Sequence, residues 1–165
     1  MKEILLTRGL KAIVDDEDFE NLNQHNWQSI PNKNNNKFYA VRAIYAGNKK
    51  QKRIWMHKEI MQTPDGTDTD HIDGNGLNNC RSNLRQCTRT QNLGNQPKNR
   101  KSASRFKGVS IKRASTWCAQ IQFQKKNNHL GYFLNEEDAA KAYDKAAIKF
   151  YGEFALTNFP KENYL

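Results

Sequence analysis

The chain has 165 residues, which allows one ordinary domain or two small ones. Hydrophobic residues at 36 %, with eight Phe, six Tyr and three Trp, are too many for a disordered chain and too few for one generous core. Two or three small modules are expected, and a large cofactor-binding α/β fold is argued against. The net charge of +10, from 27 Lys+Arg against 17 Asp+Glu, points to an anionic partner.

In chain order, EILLT and KAIV around Arg8-Gly9 read as a short hairpin. Asp15 and Asp16 then open a helix over DEDFENLNQ, whose acidic first turn suits the positive end of the helix dipole. Pro31 to Lys37 reads as an Asn-rich loop. KFYAVRAIY and KRIWMHKEI read as two strands turning at Gly47-Asn48, with Tyr39, Val41, Ala43 and Tyr45 on one face. His57 falls at the end of the second strand, where a structural role is expected of it. Thr63-Pro64-Asp65-Gly66 is a turn. Gln96 to Ser104 is polar and basic, a linker by composition. GVSIK, TWCAQIQF and HLGYF read as three strands, with His129 as a loop residue of no special role. Asn135 caps a helix running to about Phe150, with Gly152 past its end and an apolar face of Ala139, Ala142, Tyr143, Ala146 and Phe150. No internal repeat is present.

No apolar run approaches the ~20 residues of a membrane span, and MKEILLTRGL lacks a signal-peptide apolar region, so a cytosolic setting is expected. The cysteines Cys80, Cys87 and Cys118 form no CxxC pair, which argues against a disulfide framework or a thiolate zinc site. The 62 residues between Asp73 and Glu136 contain no acid and twelve bases. Arg81, Arg85, Arg89, Lys98, Arg100, Lys101, Arg105, Lys107, Lys112 and Arg113 lie on this stretch, which reads as a track for nucleic acid.

Residues 70–92 read DHIDGNGLNNCRSNLRQCTRTQN. Asp70 and His71 are adjacent at the end of a short strand, followed by a loop rich in Gly and Asn. Thr88 to Gln91 is a capping box that starts a helix just before Asn92. Asp73 belongs to the Asp-Gly turn. His71 can take a proton at neutral pH. From His57 to Asn92 the pattern resembles the HNH (ββα-metal) nuclease family in its H-N-N variant, known from phage and intron homing endonucleases. The resemblance implies that Asp70 and Asn92 hold one divalent metal, that His71 is the general base, and that Asn83 bridges the loop and keeps the histidine oriented. A carboxylate and an amide oxygen suit Mg²⁺ or Mn²⁺ better than zinc. Many relatives carry histidine where Asn92 stands.

Residues 105–160 carry KGV, W-x-A-x-I, LG-x-F, EEDAAKAYD-x-AA and a closing NFP. These resemble the Apetala-2-type (ethylene-responsive-factor) DNA-binding domain, in which a three-stranded antiparallel sheet enters the major groove and a helix packs behind it. Lys107, Ser110, Lys112, Trp117, Gln120 and Gln122 would then face DNA. Lys107, Ser110 and Gln122 stand where arginine is usual, and the two glutamines could read adenine. Trp117 suits core packing and DNA-face stacking equally.

The expected fold class is α+β. A β-rich region with an HNH motif spans 1–96 (core 55–96), a basic linker spans 97–104, and a three-stranded sheet with one helix spans 105–160. The expected function is a metal-dependent, homing-type endonuclease that nicks double-stranded DNA, acting as a monomer or weak dimer. No membrane and no small-molecule organic cofactor is expected, and the setting is a bacterial or phage-infected cell. The alternatives are a DNA-binding regulator with an inactive nuclease motif and, on charge alone, an RNA- or ribosome-binding protein.

Overall fold

The computed structural model describes residues 1–32, 37–46, 50–98, 102–113 and 115–164. It shows an α+β chain of small antiparallel sheets that divides into two units, Met1–Thr88 and Arg89–Leu165. The division falls before the third helix, ahead of the linker read from composition. The expected turn at Gly47-Asn48, and Arg100 and Lys101 of the basic track, lie outside the described residues. Among the described residues no helix is long and apolar enough to cross a membrane.

In the first unit, β1 (Lys2–Leu5) and β2 (Lys11–Val14) pair antiparallel through a connection that turns at Arg8 and Gly9. Helix α1 (Asp16–Asn23) follows Asp15, whose carboxylate accepts the Arg81 backbone N–H at 2.7 Å and makes no cap bond to its own helix. A second sheet has the order β3 (Gln28–Pro31), β4 (Phe38–Ala46), β5 (Lys50–Trp55). The face of Tyr39, Val41, Ala43 and Tyr45 is covered only in its first half: Val41 is buried and Tyr45 is exposed. The second strand of the sequence reading is too long. It stops at Trp55, and Met56–Ile60 form helix α2. Met56 and Ile60, one helical turn apart, both enter the core, and helical spacing suits that better than strand alternation. β6 (Asp68–His71) and β7 (Leu84–Cys87) close the unit as a hairpin, with Asp70 opposite Arg85 and His71 opposite Leu84. The core joins Ile4, Val14, Leu22, Trp27, Ala40, Met56, Ile60 and Leu84, so both sheets and both helices support that hairpin.

The second unit begins with α3 (Arg89–Gly94), one residue after Thr88. Its sheet has the order β10 (Lys126–Phe133), β9 (Thr116–Phe123), β8 (Val109–Arg113), backed by α4 (Glu136–Tyr151). Asn135 caps α4 by accepting the Glu137 N–H at 2.8 Å, and Gly152 ends it. The buried stripe of α4 is Ala139, Ala140, Tyr143, Asp144, Ala147 and Tyr151, rotated from the expected face and containing a carboxylate. Asp144 is tolerated there because the Asn158 and Phe159 backbone N–H groups, the Asn158 side chain and the Tyr164 hydroxyl all donate to it, at 2.8–3.0 Å. Gly108, at φ +74°, lets the Tyr143 ring lie where a Cβ would otherwise stand. His129 is not in a loop: it sits within β10, opposite Gln120.

Candidate functional site

The β6–β7 hairpin and its connecting loop form the centre of the first unit. Asp70 and His71 are both buried at the end of β6. The loop returns onto itself through Asn83. Its Oδ1 accepts the Asp73 backbone N–H at 3.0 Å, and its Nδ2 donates to Asp73 Oδ1 at 2.9 Å and to the Asn78 carbonyl at 2.8 Å. Asp73 also accepts the Asn75 N–H and the Asn78 side chain, at 2.7 and 2.8 Å. Burial pushes the Asp73 carboxyl up, but these hydrogen bonds outweigh it and the net shift is downward. Asp73 is thus the clasp of the loop, and Asn83 is its bridge.

The imidazole of His71 has a different neighbour. Its Nε2 lies 3.3 Å from Oδ1 of Asn79, a side chain fully shut from water. The His57 ring, carried by α2, meets the His71 ring at 4.9 Å between centroids and 79° between planes. Tyr39 packs on both histidines, and Trp55 closes the cluster against Tyr39 and His57. Burial, with smaller contributions from His71 and Lys58, pushes His57 down to about 3. His71 is also lowered, by burial first, against the opposing pull of Asn79, Asp73 and Asp70. Both rings are therefore neutral at pH 7, and His71 is in the form that accepts a proton. Two buried atoms, Nδ1 of His57 and Nδ2 of Asn79, have no hydrogen-bond partner among the described residues. Sequence reading missed Asn79. The only signal was the Asn-Asn pair in the loop, which does not say which amide turns inward.

The basic residues divide by what they touch. Arg85 donates through Nε and Nη2 to Asp70 Oδ2, at 3.1 and 2.9 Å, and fixes the direction of that carboxylate. Arg81 lies against α1, with Nε and Nη2 on the two Asp18 oxygens at 2.8 and 2.7 Å. Arg105 pairs with Glu137 at 2.9 Å, at the start of α4. Arg89 is exposed and Lys98 half-buried. Asp70, His71 and Asn83 belong to the first unit, and Asn92 belongs to the second, on α3. Among the described residues no group of three or more His, Cys, Asp or Glu could hold a metal ion. The Asp70 carboxylate, taken by itself, is an oxygen donor of the kind a hard divalent cation prefers.

In the second unit the sheet alternation places Ser110, Cys118, Gln120 and Gln122 on the face away from α4. Gln120 and Gln122 are exposed there. Lys112 and Arg113 are exposed at the end of β8 and line an open hollow with Thr116 and Tyr132. His129 and Tyr132 add an aromatic pair, 4.5 Å between ring centroids, that the sequence reading did not assign. Trp117 packs on the core of Val109, Ala119, Ala139 and Ala140, so core packing is the role the structure gives it. Lys107 points inward. Its Nζ donates to the Gly94 carbonyl at 2.6 Å, and burial pushes it down to about 8 against the pull of Asp144.

The first unit thus closes on a hairpin that carries Asp70 and His71, with its loop clasped by Asn83. Residues 53–93 match the family described as HNH endonuclease. The chain is also similar to an uncharacterized HNH endonuclease of Acanthamoeba polyphaga mimivirus, 30 % identical over 128 residues, covering 74 % of this chain and 66 % of that protein. It is similar to APETALA2-like protein 2 of Oryza sativa subsp. indica, 42 % identical over 64 residues, covering 38 % of this chain and 15 % of that protein. An AP2-like ethylene-responsive transcription factor of Arabidopsis thaliana is 45 % identical over 74 residues, covering 39 % of this chain and 15 % of that protein. The chain thus spans only about 15 % of the length of these plant relatives.

Proposed function

We propose that the protein is a metal-dependent endonuclease that hydrolyses phosphodiester bonds of duplex DNA and nicks one strand per encounter. The observation that carries this reading is the buried His71 beside Asp70, on a hairpin whose loop is clasped by Asn83 and Asp73. The match of residues 53–93 to HNH endonucleases supports it. His71 takes the proton of the attacking water. Asp70 and Asn92 would hold one Mg²⁺ or Mn²⁺. Bound there, the cation supplies positive charge for the phosphate oxygens and the leaving 3′ oxygen. Arg85 keeps the Asp70 carboxylate turned to one side. Water attack leaves a 5′-phosphate and a 3′-hydroxyl.

The second unit binds the duplex through the sheet face of Ser110, Gln120 and Gln122, with Lys112 and Arg113 on phosphates. Likeness to AP2-like plant proteins supports a DNA-binding role. A homing-type role in the cytosol of a bacterial or phage-infected cell belongs to the same proposal, as does a monomer or weak dimer. The regulator with an inactive motif is favoured by one feature, the Arg85 guanidinium already on Asp70.

A supercoiled plasmid carrying native-host DNA separates the two readings. The expected result is conversion to open circle that needs Mg²⁺ or Mn²⁺. In His71→Ala that rate falls by about 10²- to 10⁴-fold, with the gel shift retained. Duplex binding without any conversion would mean the regulator.

A further inference from the structure

We propose that Asn79 is a positioning residue for His71: its side-chain oxygen accepts the Nε2 proton and so fixes the tautomer whose basic lone pair is on Nδ1. The consequence for cleavage rests on the nuclease reading above. The hydrogen bond itself does not.

In a neutral imidazole one ring nitrogen donates and the other accepts. Oδ1 of Asn79, 3.3 Å from Nε2, can only accept, so the proton belongs on Nε2 and the lone pair on Nδ1. Asn79 is fully buried, and its Nδ2 has no hydrogen-bond partner among the described residues. An unpaired buried donor costs about 1–3 kcal/mol, and leucine would fill the same space without that cost. What the amide contributes is its acceptor end, and that end is on His71. The backbone fits this role. The Asn79 N–H donates to the Ile13 carbonyl at 2.8 Å, and Asn78 bridges to Ile13, so the residue is tied to β2. Asn83, four residues on, puts its side-chain bonds on Asp73 and Asn78. The two asparagines therefore divide the work: Asn83 holds the loop and Asn79 holds the ring, with the His57 ring as a wall at 4.9 Å.

The test uses the full chain labelled with ¹⁵N-histidine. Imidazole NMR reads the His71 tautomer, and plasmid nicking in Mg²⁺ reads kcat and KM, for wild type, Asn79→Leu and Asn79→Asp. Wild type is expected as the Nε2–H tautomer. Asn79→Leu should lose the single tautomer and lower kcat by about 10- to 100-fold, with KM and DNA binding unchanged and a urea midpoint no lower than wild type. Asn79→Asp keeps an acceptor and should restore the Nε2–H form and part of kcat. An Nδ1–H tautomer in wild type would overturn the proposal. So would an Asn79→Leu protein with unchanged tautomer and kcat, or one whose kcat, KM and midpoint all fall together. If wild type cuts no DNA while its tautomer still follows Asn79, the nuclease reading fails and the positioning contact stands.

Discussion

His57 in the first unit and Asp144 in the second are both polar side chains shut away from water, and the two units treat them in opposite ways. Asp144 receives four donors, from Asn158, Phe159 and Tyr164, and ties the segment after α4 back onto that helix. His57 leaves Nδ1 without a hydrogen-bond partner among the described residues, and so does Nδ2 of nearby Asn79. Buried polar groups are normally satisfied, and an exception calls for a reason. In the second unit a satisfied carboxylate stabilises a scaffold that presents a sheet face. In the first, the two residues that carry unsatisfied atoms both lie against His71, the imidazole proposed as the general base. Stability is given up at the candidate site and recovered in the module proposed to bind DNA.

The sharpest way to break this comparison is Asp144→Ala. It leaves several buried donors unpaired at once and should cost roughly 3–5 kcal/mol. Urea unfolding of the full chain should show an earlier transition, and duplex binding should weaken with it. An unchanged midpoint would mean that the contacts after α4 do not hold the second unit together.

Asp144 also shows where the sequence stopped being legible. Asn135 and Gly152 marked the ends of α4 because caps are local chemistry. A carboxylate in a 3.6-residue pattern counts as solvent-facing, and only the returning segment around Asn158 reverses that. Residues 52–60 failed for a related reason. Arg53, Trp55 and His57 alternate like a strand, while Met56 and Ile60 share a helical face, and the core decided between the two periods. Gln28–Pro31 carries too weak an alternation to announce β3. Asp70 and His71 were legible as a pair because their neighbours in sequence are their neighbours in space. The choice of Asn79 over Asn83 as the partner of His71 was not, because it depends on how the loop folds. The bridging role of Asn83 was implied by the resemblance, whereas the contact of Asn79 with His71 is read only from the fold.

A smaller effect sharpens the comparison from the side of the first unit. His57 is pushed down to about 3 in the folded chain from an ordinary 6.5. As pH falls below 6.5 the unfolded chain takes up a proton that the folded chain refuses, so stability is lost on the way down to about 3. At pH 5 the loss from this residue is roughly 2 kcal/mol. His57→Leu removes the term and the unpaired Nδ1 together. Its urea midpoint should equal or exceed wild type at pH 7.5 and fall less steeply toward pH 5. His71 is lowered in the same direction, so some acid sensitivity remains. A His57→Leu protein as acid-labile as wild type would show that His57 takes a proton in the folded state.

The smallest effect is in the second unit and has the opposite sign. Lys107 is pushed down by burial from an ordinary 10.5 to about 8. Above pH 8 the folded chain sheds a proton that the unfolded chain keeps, so stability rises with pH until the unfolded lysine titrates as well. Tyr143 and Tyr164 are raised, chiefly by burial, and they oppose this rise above about pH 10, where unfolded tyrosines ionise. Cys87, pushed up by burial from an ordinary 9 to about 11, and Cys80, raised in the same way, oppose the rise within pH 8 to 10 itself, so the lysine's own gain of about 1–2 kcal/mol is read there as a difference between two proteins. Lys107→Met keeps the length of the side chain and loses both the charge and the bond to the Gly94 carbonyl. Its urea midpoint should fall relative to wild type across that window, since the cysteine contribution is common to both proteins. If the difference between the two proteins is constant across the window, the ammonium stays charged in the folded chain, and Lys107 becomes available to a phosphate in the way its place in the basic track first implied.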